Sequence, residues 1–192
     1  MNKALIGYGG HAREVMAQMN EQLPCFVDDE YACENSLPLC KFDPNKYLVM
    51  IAIGDSQQRK RMYDKLPIDT KYFSFIHSSA HIMGKSISIG EGTFIGANCI
   101  LTTNITIGKH AILNRGNQIS HDCIIGDFFS AMPNSIVSGN VKIGDMVYLG
   151  ANSCTKEKVN ICNDVIVGMN SGIIKNIHKK GTYIGTPAKE IH

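Results

Sequence analysis

With 192 residues, 44% of them hydrophobic and 19% charged, the chain is long enough for one ordinary domain or two small ones and apolar enough to bury a core, which excludes disorder. Nineteen Lys and Arg against 17 Asp and Glu leave a formal charge of +2, too balanced for a polyanion-coating protein, so no nucleic acid partner is expected. Apolar runs are only a few residues long, and Gly7 ends the first of them, so neither a membrane span nor a signal peptide is expected and the chain reads as cytoplasmic. The seven cysteines are odd in number and form no C-x-x-C pair, which signals neither a disulfide framework nor a zinc cage.

Short apolar runs alternate with amphipathic stretches over the first 76 residues. Lys3 to Ile6 predicts a strand, Ala12 to Gln22 a helix, Pro24 to Val27 a strand, Tyr47 to Ile53 a buried strand, Ser56 to Leu66 a helix and Tyr72 to Ile76 a last strand. This is a small α/β unit with a parallel sheet. Gly7-Tyr8-Gly9-Gly10-His11-Ala12 matches G-x-G-x-x-A at the first strand-to-helix turn, and Asp28 and Asp29 close the next strand. That pattern holds a phosphate at a helix N-terminus and a ribose or base at the acidic pair. The same turn also serves simply to let helix and strand pack. Gly54-Asp55, a second loop at the same sheet edge, favours a ligand, and the unit is half a dinucleotide fold, which suits a mononucleotide-linked one.

The pattern then changes to a strict period. Steps of six from Ile89 reach Ile95, Leu101, Ile107, Leu113, Ile119, Ile125, Ala131, Val137, Ile143, Leu149, Thr155, Ile161, Val167 and Ile173 with no insertion. Thirteen of these fifteen positions are Ile, Leu or Val, where chance would place about three. The next position is often Gly, read as the turn residue, and the fourth position on is small or β-branched, as at Cys99, Ala111, Cys123 and Ser135. Rungs of this kind bury a core only by stacking, so a parallel β-helix of three hexads per coil follows over 82–178. The demand for one aliphatic residue per rung explains 25 Ile against 9 Leu and no Trp.

His121 stands two places after Ile119, at a phase that points away from the core, and Asp122 follows it. An imidazole of neutral pKa beside a carboxylate suits general base work. Cys123, at an inward phase, is not expected to act as a nucleophile. Of the other histidines, His110 is read as an outward turn residue, His77 and His81 sit at the domain junction, His178 and His192 lie near the end of the sequence, and no metal site is expected among them.

Together, the opening Leu5-Ile6-Gly7-Tyr8-Gly9-Gly10-His11-Ala12-Arg13-Glu14-Val15, Val27-Asp28-Asp29, Ala52-Ile53-Gly54, the hexads, Ile119-Ser120-His121-Asp122-Cys123 and the tail Gly185-Thr186-Pro187-Ala188-Lys189 resemble the bacterial sugar-nucleotide acetyltransferases of the left-handed β-helix class. That group includes N-acetyltransferases for 4-amino-4,6-dideoxy sugars and sialic acid O-acetyltransferases. The resemblance implies an α/β domain over residues 1–76 that holds a nucleotide-linked amino sugar, then a left-handed parallel β-helix over 77–192 that binds acetyl-CoA between the subunits of a homotrimer, with no metal. It makes His121 the general base and Asp122 its partner. It assigns Gly9, Gly10, His11, Asp28, Asp29, Gly54, Gln57 and Asn114 to the sugar nucleotide, with Arg59 adding a polar contact. Ser130, Ala151 and Met169 fall on cofactor positions, and Lys179, Lys180 and Lys189 near its phosphates. Ser130 departs from the group, whose N-acetyltransferases carry a second histidine there, so O-acetylation of a sialic acid or other glycan hydroxyl stays open as the alternative to N-acetylation.

Overall fold

A computed structural model describes residues 1–191. The N-terminal part is one parallel sheet of five strands, β1 (Asn2–Ile6), β2 (Cys25–Val27), β3 (Leu37–Pro38), β4 (Tyr47–Ile51) and β5 (Lys71–Tyr72), in the order β3-β2-β1-β4-β5. Both faces of the central strands are covered, so Ala4, Leu5 and Ile6 of β1 and Val49, Met50 and Ile51 of β4 form unbroken buried runs. Helix α1 (Gly10–Met19) buries Ala12, Val15 and Met16 at i, i+3 and i+4 spacing. It stops short of the expected Gln22 because Asn20 adopts a left-handed conformation, and its N–H and that of Glu21 close the last turn on Ala17 and Met16. Helix α2 (Ser56–Lys65) is capped by Asp55, whose carboxylate accepts the Gln58 N–H at 2.7 Å, and ends before Pro67.

The segment expected as one strand over Tyr72–Ile76 divides between two sheets. Lys71–Tyr72 pairs with β4, whereas Phe75–Ile76 pairs with Phe94–Ile95 and opens the prism. From there the chain winds around three faces of eight, six and five strands, parallel except for the last pair, Gly181–Ile184 with Lys189–Ile191. Partners such as Ile112 and Ser130, Ile124 and Lys142, and Gln118 and Ile136 lie one coil of three hexads apart. The aliphatic column from Ile95 to Ile173 is buried throughout and forms a single core with the small residues Cys99, Ala111, Cys123 and Val141.

Few of the turns fall to glycine. The left-handed residue is the third after each aliphatic, and Asn or Asp most often holds it, as at Asn98, Asn104, Asp122, Asn134, Asn140, Asn152, Asp164 and Asn170, residues whose short polar side chains tolerate positive φ, with glycine there only at Gly92 and Gly116. The glycine directly after the aliphatic serves close stacking instead. A Cβ on Gly126 would stand 2.7 Å from the carbonyl carbon of Gly144 in the next coil.

The N-terminal sheet sits on the eight-stranded face. Phe94 and Ile112, outward residues of that face, are buried against Leu5, Val15 and Met50. The corresponding outward residues Ile124 and Ile136 of the other two faces are exposed.

Candidate active site

Strand β1 delivers the glycine turn to the C-terminal edge of the sheet, where ligands of open parallel sheets gather. A cavity of about 500 Å³ opens there, lined among others by Gly7, Tyr8, Gly9, Asp28, Arg61 and Lys65. Gly9 caps α1 without a side-chain partner and no acidic residue stands in the first turn, so the N–H groups of that turn remain available to an anion. Lys65 reaches across the cavity to Asp28, its Nζ 2.8 and 2.9 Å from the two carboxylate oxygens.

Of the residues expected around the sugar nucleotide, Gly9 and Asp28 line this cavity and Gly10 begins α1 beside it. His11 turns away. Its ring lies edge-on to Phe94 at 5.2 Å, its side chain is 10% exposed and its Nε2 is shielded from solvent without a hydrogen-bond partner. Asp29 instead accepts the Cys40 N–H at 3.0 Å and ties down the following loop. Gly54 and Gln57 border a second cavity, of about 420 Å³, with Met132, Tyr148 and Asp164, and Gln57 donates to Asp164 at 3.2 Å. Gln57 therefore bridges the N-terminal domain to the prism instead of facing the first cavity. Arg61 and Lys65 belong to no motif, although their i, i+4 spacing on α2 places both on one face.

Asn114 is buried on the prism edge beneath α1, its Nδ2 donating to Glu14 at 3.3 Å. Glu14 also meets Arg115 at 3.0 Å and faces His11 at 3.8 Å. The His11 imidazole, then Asn114 and Arg115, hold the Glu14 carboxyl down at about 2 against the cost of its burial. Glu14 is thus an anionic tie between α1 and the prism, a role that its neighbours in sequence do not signal.

His121 occupies the turn between the six-stranded and five-stranded faces, the edge opposite the face that carries the N-terminal domain. Its side chain is 55% exposed, and its Nδ1 lies 2.7 Å from the Asp122 carboxylate. Asp122 also accepts from the Asn104 amide, and these two contacts, Asn104 first, hold its carboxyl below the usual range. The imidazole plane rests on Gly139 of the next coil, where a Cβ would stand 2.6 Å from Nε2. With Nδ1 committed to the carboxylate, Nε2 is the nitrogen left to exchange a proton. Cys123 points inward, fully buried, and burial raises its thiol pKa, as a structural thiol requires.

Family models for the PglD N-terminal domain and for the hexapeptide repeat of succinyl-transferase match residues 3–66, and residues 86–116 and 140–174, respectively. The GDP-perosamine N-acetyltransferase of Escherichia coli O157:H7 is 25% identical over 154 residues, 71% of this chain and 70% of that protein. PerB from Caulobacter crescentus, solved in complex with CoA and GDP-perosamine, superposes with a TM-score of 0.87 at 26% identity, covering 100% of this chain and 98% of that one. WeeI from Acinetobacter baumannii AYE gives 0.88 at 26% identity over the whole of both chains. The chain belongs to the hexapeptide-repeat sugar acetyltransferases. Its prism is accordingly the left-handed parallel β-helix of that family.

In this acetyltransferase Ala151 and Met169 occupy equivalent turns, one coil apart, on the edge between the eight- and six-stranded faces, Ala151 half-buried and Met169 exposed. Ser130 does not join them. It is fully buried beneath the N-terminal domain, where its hydroxyl donates to the Gly54 carbonyl at 2.9 Å and meets Ser56 at 3.0 Å and Arg59 at 2.8 Å. Those contacts occupy the hydroxyl, so Ser130 faces no cofactor in this chain. Arg59 likewise is no ligand contact: it is fully buried, its guanidinium bound to the carbonyls of Ile53, Gly54, His110, Phe128 and Phe129.

His110, expected outward, is fully buried between Tyr63, Tyr72 and Phe128 because the N-terminal domain covers its edge of the prism. Lys179 is paired with Glu190 at 2.8 Å. His192 lies outside the described residues. Among those described, no cluster of three His, Cys, Asp or Glu stands ready for a metal, and no helix is long and apolar enough to cross a membrane.

Proposed function

We propose that this acetyltransferase transfers the acetyl group of acetyl-CoA to the amine of a nucleotide-linked amino sugar, with His121 as general base. The observation that carries the reading is the exposed His121–Asp122 pair on a hexapeptide prism whose companion domain opens a nucleotide-type cavity between a glycine turn and two cations. The amine attacks the thioester carbonyl; His121 Nε2 accepts the proton that nitrogen loses and returns it to the departing sulfur, so the enzyme ends each turnover unchanged. Asp122 fixes the tautomer and favours the imidazolium that forms.

Acetyl-CoA fits this chain along the outer part of the eight-stranded face. Ile166 and Ile184 there are 46% and 44% exposed and Met169 on the adjoining edge 73%, an apolar strip suited to a pantetheine arm. In one chain His121 and the nucleotide cavity lie on opposite sides of the prism, since the N-terminal domain covers the face across from the His121 edge. A homotrimer resolves this, each His121 serving the sugar nucleotide held by a neighbour. Seven free cysteines agree with a cytoplasmic setting. The amine is preferred to a hydroxyl acceptor because this chain is similar over most of its length to GDP-perosamine N-acetyltransferases.

The test is mass analysis of products from acetyl-CoA with a nucleotide-linked 4-amino sugar and with sialic acid, using wild type and His121→Ala. An acetamido sugar, formed about 10²- to 10⁴-fold more slowly by the variant at unchanged melting temperature, is expected. Acetyl ester formation on sialic acid alone, or undiminished turnover by the variant, overturns the proposal.

A further inference from the structure

We infer that the donor site also takes acyl groups longer than acetyl, a neutral, butyryl-sized chain lying in the second cavity; this rests on the acetyl-CoA reading above. The mechanism leaves that cavity of about 420 Å³ unused, although residues 54–57 of the N-terminal domain overhang it and Tyr148 and Ile166 floor it. These two are paired outward residues of the eight-stranded face, and Ile166 belongs to the apolar strip assigned to the pantetheine arm. The cavity thus continues that strip beneath the N-terminal domain. Across the face it runs from Met132, on the edge shared with the six-stranded face, to Met146 and Asp164, on the edge shared with the five-stranded face. Met132 stands on the edge that carries Ala151 and Met169, and within one coil of His121. In a trimer closed about an axis along the prism equal coils stand level, which brings the thioester, where His121 of a neighbour works, to the Met132 end. The acyl chain then points across the face, away from the rest of the donor.

Size and lining say what that chain is. The methyl of an acetyl group needs little more than the roughly 30 Å³ of one water molecule, so acetyl alone leaves most of the cavity empty. Methionines line both ends, and their unbranched thioethers adapt to chains of different length. Asp55 and Asp164 face the same space, and among the described residues that line it no cation stands to meet a charged chain. Both carboxylates are held in place, Asp55 by the Gln58 N–H that it caps and Asp164 by the Gln57 amide. Burial, then the Asp55 charge, raises the Tyr148 phenol above its usual range, so it stays protonated and neutral. An aliphatic acyl group is therefore accommodated, and one that ends in a carboxylate, such as succinyl, is repelled. The step is the one already described: the C–N bond forms, the C–S bond breaks and the proton of the amine ends on the CoA sulfur, so a longer acyl group needs no further reactant.

Calorimetric titration of the full-length protein with acetyl-, propionyl-, butyryl- and succinyl-CoA, with no acceptor present, tests this in wild type, Met146→Phe and Asp164→Asn. In wild type the Kd is expected to fall about fourfold with each methylene from acetyl to butyryl, as burial of a methylene predicts. Succinyl-CoA, of the same chain length as butyryl-CoA, is expected to bind about tenfold more weakly than it. Met146→Phe puts a ring into the cavity at a turn that accepts one, since Phe128 holds the equivalent position a coil earlier at φ 56° against 55°. That variant is expected to lose the gradient, and Asp164→Asn to narrow the succinyl gap. Butyryl-CoA bound no more tightly than acetyl-CoA by wild type overturns the inference while the acetyl-transfer reading stands. A gradient kept by Met146→Phe at unchanged melting temperature overturns the assignment of the chain to this cavity, and succinyl-CoA bound as tightly as butyryl-CoA overturns its neutrality. Failure of wild type to bind any of the four removes the acetyl-CoA reading itself, and the inference with it.

Discussion

His110 and His121 both stand in turns of the same hexad repeat, yet they face opposite conditions. The turn of His110 joins the five-stranded to the eight-stranded face and lies under the N-terminal domain, where the ring is fully buried among Tyr63, Tyr72 and Phe128. The turn of His121 joins the six-stranded to the five-stranded face, where nothing covers it and a carboxylate holds one nitrogen. His110 stands third and His121 second after its aliphatic residue, both outward phases in an isolated prism, so outward phase alone does not say what a turn histidine does. What decides is which of the three prism edges the second domain covers, and that domain converts one edge into core while leaving the His121 edge exposed.

The covered edge is broken most severely at Arg59. Its guanidinium joins the loop after β4, through Ile53 and Gly54, to the prism carbonyls of His110, Phe128 and Phe129, and no carboxylate is among its hydrogen-bond partners. Burial lowers its pKa to about 9, which leaves it charged at neutral pH. Arg59→Met keeps an unbranched chain but strands several buried acceptors at once. A loss of about 3 kcal/mol in urea unfolding is expected, each abandoned buried group costing about 1–3 kcal/mol before relaxation. Wild-type stability in this variant would mean that the seam is held by the apolar contacts alone.

The repeat itself is legible because a period of six is written in every rung, and the column from Ile95 to Ile173 is buried as that period demands. The function of its glycines is not, because the contact that requires them, such as Gly126 against Gly144, joins residues a full coil apart. Strand β3, two residues ending in a proline, carries no periodicity to detect. The glycine turn and the acidic strand end locate the cavity through Gly9 and Asp28, both local motifs. His110 departs from expectation because hexad phase describes an isolated prism, whereas a domain lies on this face; Ser130 and Arg59, assigned to ligands by resemblance, are taken up by the seam with that same domain. A clue does exist in Phe94 and Ile112, bulky apolar residues at outward positions that an uncovered face would not need.

The same contrast sets a pH dependence. Burial, with the Arg59 and Lys109 charges nearby, pushes His110 down to about 3 from its ordinary 6.5. The unfolded chain takes up a proton that the native protein refuses, so stability present above about pH 6.5 is lost progressively as the pH falls toward 3. His110→Phe removes the titration, and its backbone is suited to the change, since Phe128 holds the equivalent turn position at φ 56° against 54° for His110. Urea midpoints at pH 7 and pH 5 are expected to converge in the variant and differ in wild type. An equal fall in both would assign the acid sensitivity to other groups.

On the free edge the expected effect is smaller in energy and confined to the reaction. The His121 ring lies against the bare Cα of Gly139, so the imidazole is oriented by Asp122 on its edge and by a missing side chain beneath its face. Gly139→Ala places a methyl where the ring now sits. The ring is the end of a half-exposed side chain and gives way before the coil does, so the fold stays and the Nε2 direction moves. Gly139 has no positive φ, and alanine there costs the backbone nothing, so the melting temperature should hold or rise slightly. Displacement of a proton-transferring group by a fraction of an ångström to about 1 Å reduces kcat by about tenfold or more while KM for both substrates is retained. A variant with unchanged kcat would show that the ring finds its catalytic orientation from Asp122 alone; a variant with reduced stability and unchanged kcat would return Gly139 to the coil-stacking glycines.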